Sequence, residues 1–334
     1  MVNDISLSKF VNLNKSNKYS EPEDIYTEMV KIIKLEIKNF VLEYPEFGNL
    51  INIKNILNRT FLKRPLMVIS YGVTYKGMAD QILNEHFIKK EIKGKNKFLL
   101  KSDFYLDSCQ KEATSLYFTY KEIFKLAQII HNVLYKTFPR LEIIVNYFKE
   151  MNKCLKFLGL GSIWLTPAGM IITQKYVKTE TKELVTSMLG KRNSISIKTP
   201  IPNKINLRKQ NAGIVPNIVH SLDATNIALL VNNLINNYLE LEVITIHDCF
   251  ATHANNVEIL KYQVKLAFLC IYGNKSFIND YHKFIIEYIK KSGFIIENFE
   301  IKLPKNKLKL PSVPNFQENE YFIENILGSQ YFIN

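Results

Sequence analysis

The sequence predicts an α+β protein that is mainly helical and carries a small antiparallel sheet. Along several segments, apolar residues recur at the spacing of three and four residues that is typical of amphipathic helices. Short runs rich in β-branched and aromatic residues flank turn signals such as Thr-Pro-Ala-Gly, which is typical of hairpins. The 334 residues suffice for one large or two ordinary domains, and 47% of them are hydrophobic. No apolar run reaches about 18 residues, so the sequence predicts no membrane span.

Helical periodicity covers much of the chain. It predicts helices over residues 22–45, 56–90, 111–156, 216–238, 256–272 and 276–291. We expect the second of these to break at Gly72 and Gly77 and the third to split at Pro139, because glycine and proline are unfavourable inside helices. Pro216 suits a first helical turn, so we expect the fourth helix to begin there.

Two hairpins and two extended segments complete the predicted elements. The first hairpin is SIWLTPAGMIITQKYVK, residues 162–178. Residues 194–207 alternate and are expected to be extended, and the Pro- and Lys-rich residues 301–316 are expected to be extended or loop. The second hairpin is LEVITIHDCFATH, with His247 and Asp248 at its turn. Buried strands on both sides would fix Asp248 rigidly, which suits a ligand of a divalent cation. The alternative is an Asx turn, in which the aspartate only bonds its own backbone.

The charge balance indicates a polyanionic partner. The chain has 44 Lys and Arg against 31 Asp and Glu, a net charge of +13. Cations that neutralise phosphates release counterions, which favours nucleic-acid binding. The alternative is a compositional bias, because the chain is rich in Ile, Asn and Lys. Its cysteines show no metal-ligand spacing, and we expect reduced and mostly buried thiols.

A polar stripe is predicted on the segment NRTFLKRPLMVISYG. Arg59, Lys63 and Tyr71 are separated by multiples of four residues, so on a helix they lie along one side. The two cations could hold a triphosphate, and Lys63 could also protonate a leaving pyrophosphate. Tyr71 could stack on a base, and Gly72 allows close approach. Pro65 predicts that the regular helix starts near the preceding arginine or is kinked there; the alternative to a site is an amphipathic helix with a solvated basic edge.

A third polar cluster lies in GIVPNIVHSLDA. His220 and Asp223 are three residues apart and share a helix side, and Asn217 lies one turn earlier. Polar residues on an otherwise apolar helix suggest the lining of a site. The alternative is a histidine that is hydrogen-bonded in the core.

Together these segments resemble the single-subunit RNA polymerases of phages, mitochondria and mitochondrial linear plasmids. The resemblance rests on Arg-x3-Lys-x7-Tyr-Gly, GIVPNIVHSLDA and IHDCFATH, with PEDIYTEM, WLTPAGM and the terminal ILGSQYFIN in the same order over nearly the whole chain. It implies a DNA-directed RNA polymerase whose partners are a DNA template, an RNA transcript and NTPs. It also implies part of a right-hand fold, with residues 1–55 leading into palm and fingers, 56–156 as fingers helices, and 157–334 as palm with catalytic hairpin and C-terminal foot.

The resemblance also assigns roles to residues of the catalytic centre. Asp248 matches an aspartate that binds the two catalytic Mg²⁺ ions, and His247 is expected to support it. Lys63 matches a lysine that contacts the triphosphate and assists pyrophosphate departure, and Arg59 matches a neighbouring phosphate-binding position. In such centres the metal ions activate the transcript 3′-OH and stabilise the leaving oxygen.

Three further residues match the pocket for the incoming nucleotide. Tyr71 and Gly72 correspond to a Tyr-Gly pair at which the tyrosine helps to select ribose over deoxyribose. His220 resembles a histidine that approaches the 2′-OH.

One motif of the family is not found. Its second metal-binding aspartate lies in a motif resembling Asp-x-Ser-Cys-Ser-Gly-x-Gln-His, and none of the 23 residues before Asp24 spells it. One carboxylate cannot hold two Mg²⁺ ions about 3.5–4 Å apart. We therefore expect a C-terminal portion with little activity alone, which would act with a separately encoded N-terminal fragment. The alternatives are an inactive nucleic-acid-binding remnant and a fragment of a related family A-type DNA polymerase; with no transit peptide recognised, we expect an organelle- or plasmid-encoded protein inside mitochondria.

Overall fold

The chain is mainly helical with small antiparallel sheets, which confirms the predicted fold class. The computed structural model describes residues 4–16, 21–92, 95–101, 117–188, 191–238, 241–246, 249–273, 277–297, 299–302, 307–316 and 323–332. The chain consists of two compact units: unit 1 comprises Met1–Val145 and Asn315–Asn334, and unit 2 comprises Asn146–Pro314. The division into palm, fingers and foot stays a prediction.

Unit 1 is built around a helical core. Its helices are α1 (Ile5–Phe10), α2 (Ile25–Glu43), α3 (Leu50–Ile56), α4 (Arg59–Ser70), α5 (Tyr75–His86), α6 (Tyr120–Thr137) and the first turns of α7 (Pro139–Phe157). Ile33 and Ile37 of α2 and Ile130 of α6 are fully buried in this core. The predicted helix over 22–45 and the split at Pro139 are confirmed.

The predicted helical segment 56–90 differs from the structure in two respects. Gly77 does not break a helix but lies in the first turn of α5, where its N–H bonds Thr74 Oγ1 at 3.1 Å. A first-turn N–H has no intrahelical partner, so this cap satisfies it without interrupting the helix. Residues after the helix form a three-stranded antiparallel sheet of β1 (Phe87–Ile92), β2 (Lys95–Leu100) and β3 (Tyr117–Phe118).

Unit 2 contains the remaining turns of α7, three more helices and four small antiparallel sheets in its described part. Its elements are β4 (Ser162–Leu165), β5 (Ile171–Gln174), β6 (Val177–Met188), β7 (Lys191–Ile205), α8 (Leu207–Asn237), β8 (Ile244–Ile246), β9 (Cys249–Ala251), α9 (Val257–Tyr272), α10 (Phe277–Lys291), β10 (Ile296–Glu297), β11 (Glu300–Lys302) and β12 (Lys307–Lys309). Strands pair as β4–β5, β6–β7, β8–β9 and β10–β11–β12. The first predicted hairpin and both predicted helices after residue 255 are confirmed.

Helix α8 begins well before the predicted start at Pro216. Asn206 caps it by accepting a 3.1 Å hydrogen bond from the N–H of Lys209, and Pro216 lies inside the helix. Its length and composition also make α8 long and apolar enough to cross a membrane, contrary to the expectation that no segment would qualify. Buried helices in protein cores can be equally long and apolar, and α8 buries Ile214, Ile218 and Leu222 within unit 2.

The second hairpin forms with the predicted pairing but not the predicted burial. Ile246 pairs with Cys249 and Ile244 with Ala251. Ile244 and Ile246 are each 66% exposed, so the described residues of unit 2 do not bury strand β8, and the expectation of buried strands is wrong. Of the described cysteines, Cys154 is buried, but Cys249 and Cys270 are exposed, which corrects the expectation of mostly buried thiols.

Candidate functional site

Helix α4 carries the predicted polar stripe and is firmly anchored in unit 1. Asn58 accepts a 2.9 Å hydrogen bond from the N–H of Phe61 and caps the helix, which therefore begins at Arg59 and continues through Pro65. The expectation that the regular helix starts near Arg64 is wrong. The inner side of the helix buries Phe61, Leu62, Leu66 and Ile69.

The opposite side of α4 is exposed. Arg59, Lys63 and Met67 lie one turn apart and are exposed, and Tyr71, the C-cap residue, is half-buried. We call these four residues the α4 face. The shared side predicted from their spacing is thus confirmed, and the buried side of the helix fixes their positions.

Arg59 is held at the start of α2. Its Nε donates a 2.9 Å hydrogen bond to Oδ2 of Asp24, the N-cap residue of α2. Its guanidinium carbon lies 5.5 Å from the centre of the Tyr26 ring, a cation–π distance. Burial raises the pKa of Tyr26, and the nearby Asp24 and Tyr71 add to this while Arg59 opposes it. Arg59, Asp24, Tyr26 and Tyr71 therefore form one electrostatic cluster.

The two cations that follow Arg59 differ in their surroundings. Arg64 donates to Glu85 of α5 at 3.0 Å. Lys63 is exposed and has no hydrogen-bond or ion-pair partner in the described part of the chain. Its ammonium group is thus available to an anion.

Tyr71 and Gly72 end α4 in a Schellman motif. Gly72 adopts φ +72°, its N–H bonds the carbonyl of Ile69 at 2.7 Å, and the N–H of Val73 bonds the carbonyl of Val68 at 3.3 Å. Glycine favours this left-handed conformation because it has no Cβ. Gly72 therefore serves first to terminate the helix, and so fixes the direction in which Tyr71 leaves it.

His220 lies on α8 in unit 2. The side chains of His220 and Asp223 are 62% and 65% exposed, and His220 Nδ1 lies 3.7 Å from Asp223 Oδ2. The alternative of a core histidine is therefore wrong. Behind this exposed pair, Trp164 of β4 donates a 2.9 Å hydrogen bond from Nε1 to Ser221 Oγ, which fastens the same turn of α8 to the hairpin.

A buried polar network holds the stretch of α8 around Pro216. The side chain of Gln210 donates to Gln174 O at 2.5 Å and accepts from the N–H of Tyr176 at 3.0 Å. Asn217 donates to Gln174 Oε1 at 2.8 Å and to the Tyr176 hydroxyl at 3.1 Å. A Cβ at Gly213 would lie only 2.8 Å from the Tyr176 ring. These contacts help to offset the cost of a proline inside a helix, about 3 kcal/mol.

The catalytic assignments at the hairpin turn fall outside the described residues. His247 and Asp248 are the two residues between β8 and β9. Among the residues that the structure describes, no three His, Cys, Asp or Glu side chains are grouped as a metal site. The structure thus groups Arg59, Lys63, Tyr71 and Gly72 in unit 1 and places His220 in unit 2.

Lysines line one side of α7 within unit 2. Lys149, Lys153 and Lys156 are spaced by four and three residues. Burial lowers the pKa of Lys149 and of Lys156, and the charge of Lys153 lowers both further. Lys156 also donates to the carbonyl of Leu207 at 3.1 Å, next to Arg208 at the start of α8. We call Lys149, Lys153 and Lys156 the α7 lysine row.

Several residues of these sites were not predicted from the sequence. Asp24 and Tyr26 stand in PEDIYTEM, a segment that resembles the polymerase family but whose sequence assigns no role to these two residues. Tyr135 and Tyr176 make contacts with residues more than 30 positions away. A spacing rule covers only neighbours along one element, so it could not have found them.

Comparisons with known proteins agree with the resemblance. The sequence model of DNA-dependent RNA polymerases matches residues 1–321. A probable DNA-directed RNA polymerase of Neurospora crassa is 36% identical over 348 residues, covering 100% of this chain and 38% of that relative. A probable DNA-directed RNA polymerase of Agaricus bitorquis is 30% identical over 368 residues, covering 98% and 32%. The DNA-directed RNA polymerase 1, mitochondrial, of Arabidopsis thaliana is 26% identical over 318 residues, covering 94% and 28%. The chain thus spans between 28% and 38% of the length of these relatives.

Proposed function

Since the chain belongs to the DNA-dependent RNA polymerase family, we propose that it takes part in template-directed RNA synthesis from NTPs. The observation that carries this proposal is the α4 face. Its two cations and a tyrosine project from a helix whose other side is buried, so their positions along the backbone are fixed before any ligand binds. Such preorganisation is what a charged leaving group requires.

The triphosphate is assigned to Arg59 and Lys63. A guanidinium can hold phosphate oxygens by paired hydrogen bonds, and an ammonium group acts as a mobile point charge and proton donor. Lys63 is exposed and free of ion-pair partners in the described part of the chain, so it can approach the leaving pyrophosphate. Its proton would neutralise the charge that develops on the leaving oxygen.

The sugar and base are assigned to Tyr71 and His220. Tyr71 follows the last turn of α4 and its phenol can contact the sugar, whereas the exposed imidazole of His220 can approach a 2′-hydroxyl. In both cases a polar group on a rigid element would distinguish ribose from deoxyribose. Replacing Tyr71 with Phe is therefore expected to reduce the preference for NTPs over dNTPs.

Mg²⁺ is assigned to Asp248, with His247 beside it in support. Carboxylate oxygen is the ligand type that Mg²⁺ prefers, and the paired strands β8 and β9 bracket the residue in sequence. When bound, a pair of such ions activates the attacking hydroxyl and stabilises the leaving oxygen. Replacing the metal with Fe²⁺ and mapping peroxide cleavage should mark the backbone near residue 248 in the wild type but not in Asp248→Asn.

Template and transcript are assigned to basic surface that includes the α7 lysine row. Lysines that repel one another release free energy when a polyanion neutralises them. The net charge of +13 has the sign that this role requires.

The proposed function is tested by nucleotide binding with neighbouring lysine and arginine variants. Lys63→Gln should weaken ATP binding about tenfold in calorimetry, because a charged hydrogen bond is lost. Arg64→Gln removes the same charge from the next residue, which pairs with Glu85, and should change affinity much less. Equal affinities of Lys63→Gln and wild type would contradict the assignment.

Two alternatives give different results in the same assays. A DNA polymerase fragment would bind dNTPs at least as well as NTPs and would not respond to Tyr71→Phe. A nucleic-acid-binding remnant would bind single strands with no dependence on Mg²⁺ or Asp248, through charge and aromatic stacking.

We also propose a mitochondrial location and an N-terminal polymerase partner. The location is supported by the similarity to the mitochondrial polymerase of Arabidopsis thaliana. The partner is tested by measuring NTP incorporation by this chain alone and after mixing with the N-terminal part of the Neurospora relative. Incorporation by the chain alone would contradict the need for a partner.

A further inference from the structure

We infer that Asp24 is a positioning residue for the triphosphate site, holding Arg59 through its Nε so that the terminal amino groups of the guanidinium face the ligand. The inference rests on the proposed function, because it takes Arg59 as a phosphate-binding residue. It gives a specific role to the segment PEDIYTEM, which the assigned polymerase chemistry does not use.

The geometry of the Asp24–Arg59 contact favours positioning. Of the N–H groups of Arg59, only Nε–H donates to Asp24, at 2.9 Å. In the described part of the chain, no acceptor receives a hydrogen bond from the two terminal amino groups of Arg59, and its side chain is 54% exposed. Those amino groups form the fork that binds two phosphate oxygens at once. The Tyr26 ring beneath the guanidinium limits its remaining rotation.

Asp24 is itself fixed before Arg59 binds it. The same Oδ2 accepts from the N–H of Thr27 at 3.0 Å and from its hydroxyl at 2.5 Å, because Asp24 is the N-cap of α2. Partial burial alone would raise the pKa of Asp24, but the hydrogen bonds from Thr27 and Arg59 outweigh it and lower the pKa. The carboxylate thus stays charged at neutral pH.

The backbone before Asp24 is held by a second set of contacts. The side chain of Asn12, a residue at φ +56°, donates to the carbonyl of Glu23 and accepts from its N–H, both at 2.9 Å. Ser329 of the C-terminal segment donates to the carbonyl of Asn12 at 2.6 Å. Hydrogen bonds within unit 1 therefore connect the C-terminal segment to Glu23, and the next residue along the chain, Asp24, bonds Arg59.

Positioning and simple charge predict opposite effects of removing the carboxylate. Asp24→Asn makes the surface more positive, so by charge alone it would tighten anion binding. It leaves an amide whose oxygen can still cap α2 but, being uncharged, accepts the Nε–H of Arg59 only weakly. If Asp24 positions Arg59, the affinity for an anion falls although a negative charge has been removed.

The test measures binding of inorganic tripolyphosphate by the full chain in calorimetry. We expect Arg59→Gln to weaken binding about tenfold and Asp24→Asn to weaken it by about three- to tenfold, in keeping with one charged hydrogen bond. In the Arg59→Gln background, Asp24→Asn should have no further effect. Glu28→Gln breaks an ion pair with Lys31 in the same helical turn and should leave affinity unchanged.

A spectroscopic signature separates positioning from general stabilisation. The Nε–H resonance of Arg59, assigned by its loss in Arg59→Gln, should exchange slowly with water in the wild type and rapidly in Asp24→Asn, at unchanged thermal stability. Unchanged or tighter binding by Asp24→Asn would overturn the inference, since Asp24 would then compete with the ligand. Unchanged binding by Arg59→Gln, or none by the wild type, would instead overturn the triphosphate assignment of the proposed function, and the inference with it.

Discussion

The hydroxyl of Tyr135 donates a 3.2 Å hydrogen bond to the carbonyl of Ile69, which lies in the last turn of α4. This carbonyl also accepts the N–H of Gly72, so α6 is tied directly to the cap that positions Tyr71. Burial, with Glu142 and Tyr75 nearby, raises the pKa of Tyr135 to about 12, so its hydroxyl remains a donor at physiological pH. The contact links the core of unit 1 to the candidate nucleotide site.

Removing this hydroxyl should loosen the end of α4. We expect Tyr135→Phe to lower the free energy of unfolding by about 1 kcal/mol, the usual value of one buried hydrogen bond. Hydrogen exchange of the amides of residues 71–73 should accelerate at the same time. Tyr288→Phe, on α10 in unit 2, is the control, and equal acceleration in both variants would contradict the assigned contact.

Gly72 is expected to tolerate no side chain without cost. A Cβ at φ +72° costs about 1 kcal/mol, so Gly72→Ala should lower the unfolding midpoint and also reduce NTP affinity by displacing Tyr71. Gly161→Ala is a suitable control, since a Cβ there meets no atom within 4 Å and the backbone is not left-handed. Equal thermal shifts in the two variants would show that the cap is not strained by alanine.

Elements whose signals are local were predicted well. The periodicity of α2, α9 and α10 and the turn residues of the β4–β5 hairpin lie within the elements themselves. The start of α8 was missed because Pro216 is a strong signal for a first turn, whereas the weaker cap signal of Asn206 lies ten residues earlier. A proline can remain inside α8 because the side chain of Gln174, the last residue of β5, bonds Gln210 before the proline and Asn217 after it.

The candidate site was predictable in part for the same reason. The shared side of Arg59, Lys63 and Tyr71 follows from helical geometry alone. The partner of Arg59 does not, because Asp24 lies 35 residues earlier and reaches it only through the packing of α2 against α4. Likewise, the exposure of His220 depends on which side of α8 the β4–β5 hairpin covers. The sequence of α8 does not specify that side.

Nucleic-acid affinity should depend on the α7 lysine row in a salt-dependent manner. If Lys153 contacts a phosphate, Lys153→Gln should reduce the slope of log affinity against log salt concentration by about 0.7–0.9. Lys290→Gln removes an equal charge from the exposed end of α10 and should change the slope less. Fluorescence anisotropy with a labelled single strand at several salt concentrations makes the measurement, and identical slopes for both variants would contradict a local contact.

The stability of unit 2 should fall on mild acidification because of His282. Its Nδ1 lies 2.9 Å from the hydroxyl of Tyr147, and burial lowers its pKa below the ordinary value of 6.5. The folded state therefore favours the neutral imidazole. In the unfolded chain the imidazole has its ordinary pKa of 6.5 and binds a proton as the pH falls below that value. This contribution to stability is complete above that pH and is lost as the pH falls from 6.5 toward the lower folded value.

His282→Asn keeps an acceptor near Nδ1 but cannot titrate, so its unfolding midpoint should change less than that of the wild type between pH 7.5 and pH 5. His253→Asn removes a histidine whose side chain is 74% exposed and serves as the control. If His282→Asn and wild type lost stability in parallel over this range, the buried imidazole would not be the group responsible.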